Sequence, residues 1–392
     1  MYKNGLSWVT LNYYFSCMKP LHLPIFFFLL FGCSPIDRNT GQQDWLKSLP
    51  KVETHIHLDG SVRLNTIWEI AQADGIDLGV ESIDELEDIC TVREPMNSLQ
   101  EVLDVFWVHQ KVLNSRENIA RVTFENVEDA YHDGVVLLEL RFAPTFISLG
   151  KEGLSNDDII LGVLDGIQEG MERYDIEVGL IGIGVRGMKE EDNMQALLDI
   201  IEIKHGAHPH ASRLVGYDLA AAEAGFETAS FLGLITVARE GGLHITIHSG
   251  EDTDAEHVRK TLNILGAERI GHGVKSWDDP AVIDLIKERD AHLELSVTSN
   301  WLTKTSLSIE DHPIKKLYES GVSISINTDD AHLMGIDLMH EYQLIIDKFG
   351  FTGDDFMKIN ADALEHSFLP EHIKSKVREK HFSNLSSEDI PE

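Results

Sequence analysis

From Lys51 onward the chain alternates short β-rich runs with longer amphipathic stretches, and that alternation restricts it to architectures built from parallel βαβ units. Eight runs are legible: Val52–His57, Val135–Phe142, Glu177–Val185, Leu214–Leu219, Leu243–His248, Arg269–Gly271, His292–Val297 and Val322–Asn327. Between them, stretches such as Ser98–Asp133 and Asp157–Tyr174 carry apolar residues at three- and four-residue spacing with charges between, as helices laid on a barrel do. The expected fold is an α/β (β/α)8 barrel of the TIM type. A doubly wound open sheet is the alternative, weakened because no glycine-rich phosphate loop follows the first run. The insert of about Arg63–His132 should hold several helices and form part of a lid or wall over the barrel mouth. No composition break marks a second domain, so residues 44–380 read as one barrel domain, followed by a polar tail at 381–392.

The first 33 residues read as a signal segment instead. Residues 21–33, LHLPIFFFLLFGC, are shorter than the roughly 20 residues a membrane-spanning helix needs but match the core of a signal peptide. Met18-Lys19 would supply a positive start, and Leu30-Phe31-Gly32-Cys33 resembles a bacterial lipobox, with residues 34–43 as a tether. The expectation is an exported protein, periplasmic or anchored to the membrane through lipidated Cys33; a cytoplasmic chain is the alternative. The three cysteines, Cys17, Cys33 and Cys90, form no CxxC pair, so neither a zinc ribbon nor a disulfide framework is indicated.

The first run ends Glu53-Thr54-His55-Ile56-His57-Leu58-Asp59-Gly60. Side chains alternate across a strand, so His55 and His57 share a side and can reach one ion. Later runs end in the same way: His248 closes the fifth, His272 lies between glycines after the sixth, and Asp329 and Asp330 follow the eighth. The C-terminal strand ends are where barrel enzymes assemble their sites. Three imidazoles and a carboxylate, without thiolates and with few oxygens, suit zinc, although iron, cobalt or manganese fit the same donors. A water in the remaining position would be acidified by the cation, which makes hydrolysis the expected reaction class. Glu251, three residues past His248, has the chemistry of a general acid if its pocket raises its pKa.

Charge narrows the substrate. A formal net charge of −33 repels nucleic-acid backbones and anionic membrane surfaces, leaving a small neutral or cationic molecule as the easier partner.

Taken together, THIHLDGS, HSGE, GHG and NTDD, with Leu138-Glu139-Leu140-Arg141-Phe142-Ala143-Pro144 and His312-Pro313-Ile314-Lys315-Lys316-Leu317, resemble the signature set of the adenosine deaminase family of metal-dependent amidohydrolases. The likeness runs from about Leu49 to Val377. It implies that His55, His57, His248 and Asp329 hold one zinc ion per chain. It further implies that Glu251 donates a proton to purine N1, that His272 orients the attacking water, and that His57, Asp59, Ala221 and Asp330 line the substrate, Asp59 at the ribose. Adenosine and deoxyadenosine are the expected substrates, in purine nucleoside salvage. Adenine, or a modified adenine nucleoside of the aminofutalosine or N6-methyl type, is the alternative. Three departures bear on the substrate: Ala221 stands where the family usually has glycine, the stretch Leu295-Ser296-Val297-Thr298-Ser299-Asn300 lacks the cysteine-proline common in bacterial members, and Ala331 replaces a proline. A catalytically silent metal-binding surface protein would have lost Glu251, His272 or a ligand, and none is lost. A binuclear hydrolase would call for a strand-end lysine that the sequence does not offer.

Overall fold

The apolar runs do become strands, and each stops where the polar residues of one rim begin. The computed structural model of the protein describes residues 45–383; the stretch expected to be a signal segment with Cys33, the expected tether and most of the polar tail lie outside the described residues. The strands are β1 (Lys51–His57), β2 (Val135–Phe142), β3 (Glu177–Val185), β4 (Leu214–Ala220), β5 (His244–Ser249), β6 (Arg269–His272), β7 (His292–Leu295) and β8 (Ile324–Ile326). They pair in parallel and in sequence order. Their near-complete burial explains the continuous apolar runs, since a parallel sheet under helices is covered on both faces.

The ring closes largely through a side chain. Oδ1 of Asn327 accepts the backbone N–H groups of Thr54 (2.9 Å) and His55 (3.1 Å), standing in for ladder bonds between β8 and β1. A single bridge, Ile56 to Asp329, completes the circuit. The eighth strand is therefore shorter than the sequence suggests. The seventh is shorter too: it stops at Leu295, and Val297–Leu302 turns helical. The buried carboxylate of Glu341 takes the N–H groups of Val297 (2.9 Å) and Thr298 (3.2 Å), satisfying the start of that helix from a distant residue that local β propensity cannot reveal.

The insert after β1 holds α1 (Leu64–Asp74), α2 (Ile83–Cys90), α3 (Leu99–Gln110) and α4 (Arg116–His132). The stretch Ser98–Asp133, helical by its periodicity, is thus broken into α3 and α4, with Ser98 and Ser115 each capping a helix start through its hydroxyl. Helix α3 lies over the mouth, where Leu103, Phe106 and Trp107 wall the cavity above the rim. At the opposite end Val52, Val136, Leu137, Ile181 and Val215 pack against Leu364, Phe368 and Leu369, so the helical C-terminal segment plugs the barrel floor. Among the described residues no helix is long and apolar enough to cross a membrane.

Candidate active site

His55 and His57 leave β1, His248 leaves β5, and Asp329 follows β8; all four are buried and meet at the C-terminal rim. Nε2 of His57 lies 3.3 Å from Nε2 of His248 and 3.3 Å from Oδ1 of Asp329, and Nε2 of His55 lies 3.1 Å from that same oxygen. Nε2 of His55 has no hydrogen-bond partner, an expensive condition for a buried ring nitrogen unless a cation takes its lone pair. The residues fit a divalent metal. Donor atoms of His55, His248, His272 and Asp329 also lie within 4.8 Å of one another, so proximity alone does not decide between His57 and His272 as the third imidazole.

A second set of carboxylates aims the rings. Nδ1 of His55 meets Oε2 of Glu294 at 2.7 Å, and Nδ1 of His248 meets Oδ2 of Asp218 at 3.0 Å, which turns each Nε2 toward the ion position. Burial drives the His248 ring down to about 4 against the pull of Asp218, so it is neutral and able to ligate. Arg141 holds both carboxylates at once, reaching Asp218 and Glu294 at 2.8 Å each. Arg269 adds a 2.6 Å contact to Glu294 and pairs with Glu139. Ser299 Oγ donates to Oδ2 of Asp329 at 2.7 Å, leaving Oδ1 to face the imidazoles.

Three non-glycine residues at this rim sit in the left-handed region: Ala221 (φ 68), His272 (φ 61) and Asp329 (φ 67). Such strain persists only where surroundings enforce it, and it gathers at functional sites. Glu53 supplies part of that enforcement: its carboxylate takes both the N–H (2.9 Å) and the hydroxyl (2.6 Å) of Thr328, fixing the residue before Asp329. Two glycines make room. A Cβ on Gly60 would collide with the Asp330 carboxylate, and one on Gly271 would press His55 Cε1 at 3.1 Å.

The proton chemistry is equally local. Burial pushes Glu251 well above the usual carboxyl range, and the charges of Asp329, Glu223 and Asp252 add to the push. Asp330 is raised for the same reasons, burial first and then Asp329 and Asp59. Burial holds the His272 ring well below its ordinary value, with Asp329 opposing. The rim therefore sets a carboxyl whose protonated form burial favours, Glu251, 3.6 Å from an imidazole whose neutral form burial favours, His272. Glu223 clamps the loop that presents it. Its buried carboxylate accepts the N–H groups of Gly250 and Glu251 at 2.8 Å each, and lies 2.9 Å from Nδ1 of His257.

Two cavities meet here, sharing His57, Leu103, Phe106 and Ala221 in their walls. An inner one of about 50 Å³ reaches His248, Glu251, His272, Asp329 and Asp330. An outer one of about 360 Å³ is chiefly apolar and aromatic, with Asp59, Phe146, Arg186 and Phe226 among its lining. Asp59 is buried and its Oδ1 is unpartnered. Arg186 is occupied by the carbonyl oxygens of Ala221 (3.0 Å) and His248 (2.7 Å).

Every site residue singled out in the sequence thus lies at one rim, on the walls of these two cavities or at the ion position between them. The sequence reading did not find the supports: Arg141, Asp218, Glu223, Glu294 and Ser299 act through other residues. The one signal available was that several stand as charged residues inside apolar runs, where a buried charge demands partners.

Comparison with known proteins places this arrangement. A family model described as adenosine deaminase matches residues 50–382. The adenosine deaminase of Klebsiella pneumoniae (strain 342) is 35% identical over 330 residues, which is 84% of this chain and 97% of that protein. A crystal structure of an Arabidopsis N6-mAMP deaminase superposes with a TM-score of 0.74 at 28% identity, covering 86% of this chain and 98% of the other. An adenine deaminase from Arthrobacter aurescens shares the fold with a TM-score of 0.77 at 24% identity, covering 84% and 97%.

Proposed function

The chain belongs to the adenosine deaminase family and is a deaminase on a metal-dependent amidohydrolase barrel, and on that premise we propose that it hydrolyses adenosine and deoxyadenosine at C6 of the purine, giving the inosine product and ammonia. The observation that carries this reading is the inner cavity in which Glu251, its carboxyl raised by burial, faces His272 beside the cluster of His55, His57, His248 and Asp329, where Nε2 of His55 has no hydrogen-bond partner.

Zinc is the proposed ion, because three imidazoles and one carboxylate are its usual donors. When bound, such an ion lowers the pKa of a water and so supplies a nucleophile near neutral pH. Glu251 holds a proton for purine N1, and its transfer makes C6 electrophilic. His272 orients the oxygen arriving at C6 and stabilises the charge that develops there. Asp330 contacts the ring. The two hydrogens of water end on N1 and on the departing ammonia, which returns Glu251 to its protonated state. In the outer cavity Asp59 takes a ribose hydroxyl, while the aromatic wall under α3 excludes water. Arg186, the one Lys or Arg among the described residues lining that cavity, is engaged by two carbonyls, which favours a nucleoside over a nucleotide. A second reading, an N6-substituted adenine nucleoside or nucleotide, is favoured by the 28% identity to the Arabidopsis enzyme.

We further propose that the protein is exported and tethered through Cys33, so that deamination precedes uptake in nucleoside salvage; a full-length form that fractionates with the cytosol, as its signal-deleted form does, would contradict this. The catalytic test is an ultraviolet assay of the zinc-loaded protein against adenosine, deoxyadenosine, adenine, N6-methyladenosine and N6-methyl-AMP. Adenosine turnover that falls by about 10³-fold in Glu251→Gln supports the proposal. Turnover confined to an N6-methyl compound moves the substrate, and inertness toward all five overturns the purine reading.

A further inference from the structure

The pattern His312-Pro313-Ile314-Lys315-Lys316-Leu317 has no place in the chemistry above, and Asn300 itself lines neither cavity. Their hydrogen bonds nevertheless run toward the site, and in one direction. The backbone N–H of Ile314 donates to Nδ1 of His312 at 3.1 Å, and a backbone N–H can only donate. Nδ1 of His312 is therefore a lone pair. Burial pushes this imidazole down to about 3, so the ring is neutral and its proton sits on Nε2. That nitrogen donates to Oδ1 of Asn300 at 3.0 Å. The orientation of the amide follows: Nδ2 of Asn300 is turned to Nδ1 of His272, 3.0 Å away, and donates to it. With Nδ1 of His272 accepting, the proton of that ring is on Nε2, the atom 3.6 Å from Glu251 and 3.8 Å from Asp329. All three side chains are buried, which shields the chain of bonds from competing water.

We propose that Ile314, His312 and Asn300 form a positioning relay that locks His272 in the Nε2–H tautomer, making His272 a hydrogen-bond donor to the oxygen entering at C6. The same lock excludes His272 from the metal set, because a protonated Nε2 has no lone pair to give, and assigns the third imidazole to His57. It also excludes His272 as a base at that nitrogen. The tautomer follows from the hydrogen bonds alone, whereas the donor role rests on the purine reading.

Nitrogen-15 imidazole spectroscopy of the full-length zinc-loaded protein tests this, with the His272 signals assigned by their loss in His272→Gln. The expected spectrum shows the His272 proton on Nε2 and an unprotonated Nδ1; a proton on Nδ1 overturns the relay. His312→Leu removes the donor to Asn300 and should lower kcat by about 10-fold or more, KM staying within about threefold, because an interaction made in the transition state is lost. The His272 proton should then spread over both nitrogens. His312→Gln, which keeps an N–H toward Asn300, should restore both kcat and the Nε2–H signal. Wild-type kcat and an unchanged His272 spectrum in His312→Leu would overturn the proposal, even if the wild-type tautomer is as expected. If the wild-type spectrum shows Nε2–H while none of the purines reacts, the relay stands and the substrate reading falls.

Discussion

At the barrel floor, Val52, Val136, Leu137, Ile181 and Val215 close on Phe368 and Leu369 in an apolar cluster. Farther up the barrel, Arg141, Asp218, Arg269, Glu139 and Glu294 are buried to 1% exposure or less, and beyond them lie the strained rim residues. The guanidinium of Arg269 lies 3.8 Å above the ring of Phe368 and marks the boundary. The floor is made of groups that gain by leaving water, the upper half of groups that lose by it. The difference teaches where stability and chemistry are kept: the floor stabilises, and the upper half holds imidazoles and carboxyls in states that water would not permit.

The largest blow to this division is Arg141→Met. It strips Asp218 of its guanidinium and Glu294 of one of its two, and should lower stability by about 3–5 kcal/mol in denaturant titration. The aim of both histidines goes with it, so metal affinity should fall about 10–100-fold by competition with a chelator. Phe368→Ala attacks the floor instead. A loss of about 3 kcal/mol is expected, with kcat at 25 °C unchanged; a matching loss of kcat would show that the two halves are not separate.

How much of this was legible in the sequence follows the same boundary. The strands were readable because burial on both faces makes them apolar, and the candidate metal cluster because His55, His57, His248 and Asp329 stand at strand ends. The supports were not, since the pairing of Arg141 with Glu294 spans 153 positions and leaves no local period. The ends of β7 and β8 were lost to side chains, Glu341 and Asn327, that take the place of backbone partners.

A smaller effect sharpens the comparison through pH. His109 on α3 is buried, donates from Nε2 to the carbonyl of Cys90 at 2.9 Å, and is pushed by burial down to about 4. Its folded value lies below its unfolded one, so the unfolded chain takes the proton first as pH falls. Stability should be full above about pH 6.5 and decline toward pH 4. His109→Gln should flatten that part of the curve relative to the parent, as followed by thermal midpoint against pH. The smallest expected effect is at the rim. Ala221→Gly relieves a left-handed backbone and should raise stability by less than about 1 kcal/mol; a loss would mean that no strain is stored at this position.

The most direct test of the account is metal content measured alongside adenosine deamination on one preparation, before and after chelation and after zinc is returned. The account predicts a single zinc-type ion per chain, activity that leaves and returns with it, and loss of both in Asp329→Asn. Full deaminase activity in protein shown to be free of metal would contradict it.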